Sequence, residues 1–253
     1  MNNMIDDGAQ GDSTVAPTPA GPAAPELPRL DVRPLETSVS FRHQAYLALK
    51  QAITTMNIYD HKGEIRLDER QLSLDLGVSR TPIREAMTLL EQEGLVRTAP
   101  RKGVFVVRKT KAEIIEMITV WAALESMAAR LITRNATDEE IAALRRMFAT
   151  FEDNQVQAKI DEYSDANVRF HSAILRMSRC DLLNKIAENL FIHMRAIRKR
   201  TISENDRARR SIIDHMHIIE ALEARDTELA ERLARQHTLD LAVHVERNIH
   251  DLD

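Results

Sequence analysis

The sequence predicts a mostly α-helical protein, in which an N-terminal winged helix-turn-helix is followed by an all-α bundle of six or seven helices. Six of the eight prolines fall within the first 36 residues, and neither glycine nor proline occurs after Gly103. Both residues interrupt regular structure, so their absence from the last 150 residues favours uninterrupted helices. Between these regions, a helical pattern containing a glycine turn precedes two short β-prone runs.

Residues 1–36 are predicted to form a disordered tail, with a partner-binding arm as the alternative. Prolines alternate there with Ala, Gly and Thr, a composition that buries too little apolar surface to offset the entropy of ordering. The tail carries six acidic and two basic residues, whereas residues 37–108 carry eleven basic and eight acidic ones. The overall charge of −4 therefore conceals a basic segment.

The segment 37–108 is predicted to begin with an amphipathic helix over residues 38–58, which carries Tyr46, Leu47, Leu49 and Ile53. A second helix is expected to start at Asp68, which forms a capping pattern with Gln71, and to stop at Gly77. The next helix is predicted to begin with Thr81 as the N-cap and Pro82 as its first residue, and to end before Gly94.

Two helices joined by a short glycine-containing turn form the layout of a helix-turn-helix. The second helix of such a motif enters the major groove of DNA by its N-terminal turn, where Arg80, Thr81 and Arg84 lie. Arginine can donate two hydrogen bonds to guanine, whereas Ser79, Thr81 and the free amides of the helix start suit a phosphate. Solvated surface charges are the alternative interpretation of the two arginines.

Residues 95–98 and 104–107 are short β-prone runs that flank a basic turn. They predict a two-stranded wing, whose tip can reach the minor groove or the phosphates. The sequence LDERQLSLDLGVSRTPIREAMTLLEQEGLVRTAPRKGVFV resembles the DNA-binding domain of the GntR family of bacterial regulators, over about residues 40–107. The resemblance implies DNA contacts by Arg70, Arg80, Thr81 and Arg84, and by the wing around Lys102 and Gly103.

Residues 109–253 are predicted to form the helical bundle. Helix breaks are expected at 135–137, near Gln157, and at 178–181, 203–205 and 225–226, with a capping box at Thr137 and N-caps at Asp181 and Asp226.

Three histidines in the predicted bundle have apolar neighbours at helical spacing. His171, His215 and His237 are each expected to point inward from a separate helix, and Asn167 shares the face of His171. Converging imidazoles can bind a divalent metal, although any one of these histidines alone could equally be a hydrogen-bonded core residue.

The spacing of these histidines resembles the FCD-type ligand-sensing domain, over about residues 110–248. The resemblance implies a divalent metal, zinc or nickel, held by His171, His215 and His237, with Asn167 in the place of an aspartate. It also implies a small organic-acid effector, which the open coordination positions of such a metal would suit.

Two further residues are candidates for the effector pocket. Trp121 stands where the family often has arginine, and it could equally be core packing. Arg195 could add positive charge together with Arg198, three residues later, although both could equally be surface or interface residues.

These features predict a homodimeric transcriptional regulator that binds a pseudo-palindromic operator in double-stranded DNA and acts as a repressor. The alternative is a helical metalloenzyme or a metal-buffering protein with an accessory DNA-binding domain. An enzyme is not expected, because there is no HExxH motif and no nucleophile motif. A single cysteine, an N-terminus unlike a secretory signal and the lack of a long apolar run predict a cytoplasmic protein with no membrane span.

Overall fold

A computed structural model describes residues 40–60, 63–151, 159–204 and 206–252. The predicted tail over residues 1–36 and the helix break predicted near Gln157 lie outside these ranges. Among the described residues, no helix combines the length and the apolar character that crossing a bilayer requires.

Three helices open the described chain. They are α1 (Phe41–Thr55), α2 (Glu69–Asp75) and α3 (Arg80–Gln92). Helices α1 and α3 pack against each other, and their contact buries Leu49 and Ile53 with Ile83 and Leu90. Leu47 of the same helix is 51% exposed and lies outside this contact.

The starts of α2 and α3 show how well capping was predicted. The Asp68 side chain accepts hydrogen bonds from the backbone amides of Arg70 and Gln71, as expected of an N-cap. In α3 the predicted start was wrong, because Ser79 is the N-cap and Arg80 is the first helical residue. Pro82 fits inside the first turn, where a backbone N–H has no helical partner to lose.

A three-stranded antiparallel sheet forms the wing. Its strands are β1 (Arg66–Leu67), β2 (Val96–Ala99) and β3 (Gly103–Val106), in the order β1-β3-β2. The two predicted strands are present with bounds shifted by one residue, and β1 is an addition that the sequence pattern did not indicate. Gly103 has a φ of +115°, and a Cβ at this position would lie 3.0 Å from Arg66 Nε, so this position requires glycine.

The remainder of the described chain is helical. Its six helices are α4 (Lys111–Asn135), α5 (Asp138–Arg146), α6 (Ile160–Met177), α7 (Asp181–Thr201), α8 (Arg207–Glu223) and α9 (Thr227–Asn248). This count, taken over the described ranges, confirms the predicted bundle of six or seven helices. The predicted breaks at 135–137, 178–181, 203–205 and 225–226 all fall between these helices.

Two of the three predicted caps in the bundle are confirmed. Thr137 and Glu140 form a reciprocal capping box, and the Asp226 side chain accepts from the backbone amide of Leu229. Asp181 was wrongly predicted as an N-cap, because Cys180 occupies that position and Asp181 is the first residue of α7. Its carboxylate still lies at the positive end of the helix dipole.

Helix α4 is the central element of the bundle. It packs along α9 and also contacts α6, α7 and α8. Trp121 and Glu125, one helical turn apart on α4, are therefore both buried in the middle of the bundle, with exposed fractions of 1% and 2%. A carboxylate at this depth requires polar partners.

Candidate functional site

The first candidate surface lies around the start of α3. Arg70, Arg80, Thr81 and Arg84 are all exposed, and Ser79 is exposed at the N-cap. The Ser79 hydroxyl makes no capping hydrogen bond to α3, so it is available to an external acceptor or donor. Arg80 forms no ion pair among the described residues, which leaves its guanidinium free to contact a base edge or a phosphate.

Arg84 differs from Arg80 because it already has a partner. Its Nε lies 2.7 Å from Glu69 Oε2, in an exposed ion pair that joins α3 to α2. The pair holds the Arg84 side chain against α2 and leaves its terminal nitrogens unpaired. A nucleic acid contact through Arg84 would therefore share or displace Glu69.

The wing carries the second part of this surface. Its turn is closed by a hydrogen bond of 3.0 Å from the Lys102 amide to the Ala99 carbonyl, and Lys102 is exposed at the tip. Arg101 is exposed beside it, in a left-handed conformation with φ of 64°. Arg101 was not among the predicted contact residues, although the basic run in the sequence pointed to it.

The second candidate site is a histidine cluster inside the helical bundle. His171 of α6, His215 of α8 and His237 of α9 each place one ring nitrogen within 4.8 Å of the other two. All three side chains are at least 95% buried. Three separate helices thus bring together the three histidines singled out in the sequence.

Each histidine of the cluster engages its Nδ1 atom with a partner outside the cluster. His171 Nδ1 lies 2.6 Å from Glu125 Oε1, and His237 Nδ1 lies 3.1 Å from Asp214 Oδ2. His215 Nδ1 lies 3.4 Å from the Tyr163 hydroxyl. These partners orient the rings so that the Nε2 atoms face inward, which is the arrangement that polar partners impose on metal-ligating histidines.

The inward atoms form a donor set that suits a divalent metal. The Nε2 atoms of His215 and His237 lie 3.1 Å apart. Asn167, one turn before His171 on α6, is 1% exposed, and its Oδ1 atom has no hydrogen-bond donor among the described residues. A buried amide oxygen without a donor, one helical turn from His171, has the chemistry of a fourth ligand, although it is neutral where a carboxylate would add charge.

Arg198 of α7 is a buried cation that sequence reasoning did not place in this cluster. Its Nη1 lies 2.6 Å from His171 Nε2, and its Nη2 lies 3.4 Å from both Glu125 Oε2 and Thr238 Oγ1. The guanidinium of Arg198 therefore contacts Nε2 of His171, the atom through which this histidine would bind a metal. Binding of a metal through His171 would require Arg198 to move away from this atom.

The charges of the cluster follow from its burial. Burial is the main cause that lowers the pKa of His171 to about 3 and the pKa of His215 well below its ordinary value, and it also lowers the pKa of His237. Burial alone would raise the pKa of Glu125, but the interactions with His171 and Arg198 lower it to about 2. At neutral pH the imidazoles are thus uncharged, as metal ligation requires.

The two residues predicted for an effector pocket lie in different places. Trp121 packs in the core with its ring centroid 6.3 Å from that of Phe191, and its buried indole N–H has no acceptor among the described residues. Arg195 does not join the cluster. Its Nη1 donates to the Thr54 carbonyl of α1 at 2.6 Å.

Helix α7 therefore connects the histidine cluster with the N-terminal helices. Besides Arg195, its His193 Nδ1 lies 2.7 Å from the Tyr59 hydroxyl, and Arg200 donates to the Tyr59 carbonyl at 2.8 Å. Burial and the nearby charge of Lys109 lower the pKa of His193 to about 4. Side chains of α7 thus contact both the end of α1 and Tyr59, while Arg198 of the same helix extends into the cluster.

Comparison with known proteins adds independent information on both regions. Residues 41–106 match the family model of bacterial regulatory proteins of the gntR family, and residues 116–240 match the model of the FCD domain. The first match contains the exposed start of α3 and the wing, and the second contains Asn167 and the three histidines.

Individual proteins with similar sequences and structures are bacterial. The Uxu operon regulator of Haemophilus influenzae is 30% identical over 191 residues, which cover 69% of this chain and 71% of that protein. The HTH-type transcriptional repressor RspR of Escherichia coli is 24% identical over 179 residues, covering 71% and 78%. Among solved structures, E. coli McbR/YncC shares the fold with a TM-score of 0.67 at 24% identity, covering 84% of this chain and all of that one.

Proposed function

Because the chain belongs to the GntR family of bacterial regulatory proteins and carries an FCD domain, we propose that it represses transcription by binding an operator, under the control of a small carboxylate metabolite. As a transcriptional regulator it is not an enzyme, since the family and the relatives are regulators. One of the relatives is a transcriptional repressor, which supports repression, and not activation, as the proposed role.

The observation that carries the proposed DNA contact is the unpaired, exposed Arg80 at the start of α3. In a helix-turn-helix, this position faces the base edges of the major groove. Thr81 and Arg84 extend the same helix start, while Arg70, Ser79 and the wing residues Lys102 and Gly103 suit contacts with the phosphate backbone. Two copies of the chain related by a two-fold axis would read the halves of a pseudo-palindromic operator.

The proposed control site is the histidine cluster. His171, His215 and His237 would hold a divalent metal, zinc or nickel, with Asn167 Oδ1 as the fourth ligand. When bound, such a metal supplies a Lewis-acidic anchor for carboxylate oxygens. Arg198, which contacts His171 Nε2 in this structure, would donate to the carboxylate of the effector, and Glu125 would keep its hydrogen bonds with His171 and Thr238.

The proposed coupling between the two sites runs along α7. A change in the position of Arg198 alters the helix that also holds Thr54 and Tyr59 through Arg195, His193 and Arg200. Because these residues follow or end α1, which packs on α3, a shift of α7 changes the orientation of the DNA-reading helix. A packed helix that two sites both contact is a physical basis for such coupling.

The proposal is tested first on DNA. An operator selected from a randomised duplex library is titrated with wild-type protein, with Arg80→Ala and with the exposed control Arg209→Ala from the helical bundle, using fluorescence anisotropy. Loss of a bidentate guanine contact costs about 1–3 kcal/mol, which is roughly a 5- to 150-fold weaker affinity. Equal affinities of Arg80→Ala and wild type would show that Arg80 does not read the operator.

A further inference from the structure

A cavity of about 530 Å³ lies between α8 and α9, next to the histidine cluster. His237 and its partner Asp214 both line this cavity, so the cavity gives access to the cluster. Its volume lies within the range of small-molecule sites. The remaining polar residues that line it are Arg207, Arg210, Ser211, Asp240, His244, Arg247 and Asn248.

Arg207 is the unusual member of this lining. It is only 7% exposed, and its buried Nε atom has no hydrogen-bond partner within the described ranges. The charge of Asp240 acts to raise the pKa of Arg207, but the Asp240 carboxylate forms its hydrogen bond, of 2.8 Å, with Gln236. Burial and the charge of Arg198 lower the pKa of Arg207 to about 10, so it remains charged at neutral pH.

The buried charges around the cluster are therefore unbalanced. Arg198 has an ion-pair partner in Glu125, at 3.4 Å, whereas Arg207 forms no ion pair within the part of the chain that the structure describes. A buried charge without a partner is strongly destabilising, and proteins retain one chiefly where a ligand completes the pairing. The charge of Arg207 is close enough to lower the pKa of both His215 and His237.

The sequence at the start of α8 also favours a bound anion. Its first turn contains Arg207, Arg209 and Arg210 and no acidic residue, and the N-cap residue Asp206 makes no capping hydrogen bond with its side chain. The start of α5, by comparison, carries three acidic residues and a capping box. Because a helix N-terminus is itself positive, three cations there are unfavourable unless an anion is present.

We propose that Arg207, together with the first turn of α8, binds a second anionic group of the effector. The effector is then a small acid with two anionic groups, either a dicarboxylate or a phosphorylated acid. One carboxylate lies at the histidine cluster and the second group lies at Arg207, which sets the specificity of the site. This inference rests on the proposed carboxylate control of the protein.

Matched pairs of acids test this inference by isothermal titration calorimetry on the full-length, zinc-loaded protein. The pairs are malate with 2-hydroxybutyrate and 3-phosphoglycerate with glycerate, and they distinguish a second carboxylate from a phosphate. In at least one pair the dianion should bind wild type at least about tenfold more tightly than its monoanionic partner, since charge-assisted hydrogen bonds are strong. Arg207→Gln should abolish this preference, and Arg232→Gln, at an exposed arginine of α9 outside the cavity lining, should keep it.

Thermal unfolding of the acid-free proteins provides a second readout. Removal of an unpaired buried charge should raise the Tm of Arg207→Gln above that of wild type, although ligand binding is weakened. The inference is overturned if neither dianion is preferred by wild type, or if Arg207→Gln retains the preference. It is also overturned if the variant has a lower Tm and binds both members of each pair as wild type does, because Arg207 would then be structural.

The outcomes also separate this inference from the proposed function. If monoanions and dianions bind equally and both change operator affinity, carboxylate control stands and the role of Arg207 is wrong. If a preference that depends on Arg207 is present but no acid changes operator affinity, the anion site stands and the proposed control is wrong.

Discussion

Removal of one imidazole from the histidine cluster should abolish stabilisation of this protein by metal. His237→Gln is the sharpest change, because His237 lies at the edge of the cavity, whereas His215 is completely buried among aromatic rings. Glutamine fills similar space and tolerates a polar environment. The variant should therefore fold, and differences from wild type should reflect lost ligation.

The magnitude follows from mass action. Zinc present at 100 times its Kd stabilises the folded state by about 2.7 kcal/mol. For a chain of this size, each kcal/mol raises the Tm by roughly 2–4 °C, so wild type should gain about 5–11 °C. His237→Gln should gain little at the same zinc concentration, because only two imidazoles and a neutral amide remain.

Differential scanning fluorimetry of metal-stripped protein measures this effect, with zinc and nickel salts added back. Asp214→Asn should weaken metal binding by about 10–100-fold, because it removes the partner that orients His237. His217→Gln is the matched control, since His217 lies exposed on the same helix as Asp214. A wild-type Tm that does not respond to either metal, or an equal response of His237→Gln, would refute the metal assignment.

Three further predictions address the fourth ligand, the domain junction and the DNA-reading helix. Asn167→Asp should bind zinc at least about tenfold more tightly than wild type, because a carboxylate adds negative charge to the donor set. Competition with a chelating dye measures the zinc affinity, and unchanged or weaker binding would exclude position 167 from the ligands. The folded-state pKa of His193, about 4, lies below its ordinary value of 6.5, so its contribution to stability is complete above pH 6.5 and is lost as the pH falls towards 4. Chemical denaturation at several pH values measures the free energy of unfolding. Between pH 6.5 and pH 4, this free energy should fall by about 1.4 kcal/mol less per pH unit in His193→Asn than in wild type, and an equal dependence on pH in the two proteins would contradict the prediction. Glu69→Gln removes the ion pair between Glu69 and Arg84 and should bind the operator about three- to tenfold more tightly than wild type. Weaker binding would mean that this ion pair positions Arg84 for contact with DNA.

The DNA-reading half could be predicted well from sequence because its signals are local. Gly77 and Gly94, with φ of 65° and 73°, mark the ends of α2 and α3 at the predicted positions. The error of two residues at the N-cap of α3 arose because both Ser79 and Thr81 are good capping residues, and Pro82 suits any position in the first turn. The two-residue strand β1 was missed because it exists only through its pairing with β3.

The histidine cluster was predictable in part. Apolar neighbours at helical spacing indicate that His171, His215 and His237 point inward, and that information lies within each helix. The partners Glu125 and Arg198 have no such signal, since charged residues are normally exposed and their burial depends on how α4 and α7 meet. For the same reason Arg195 was placed in the pocket, although it faces α1.

The central claim is that occupation of the histidine cluster changes the affinity of the protein for its operator. The most direct measurement is a fluorescence anisotropy titration of the selected operator with zinc-loaded wild type and His237→Gln, with and without the acids that bind wild type. Wild-type affinity should change by about 5- to 150-fold, the usual range of allosteric coupling, and the affinity of His237→Gln should not change. A metal that binds the cluster while no acid alters operator affinity would contradict the claim and favour a metal-buffering protein.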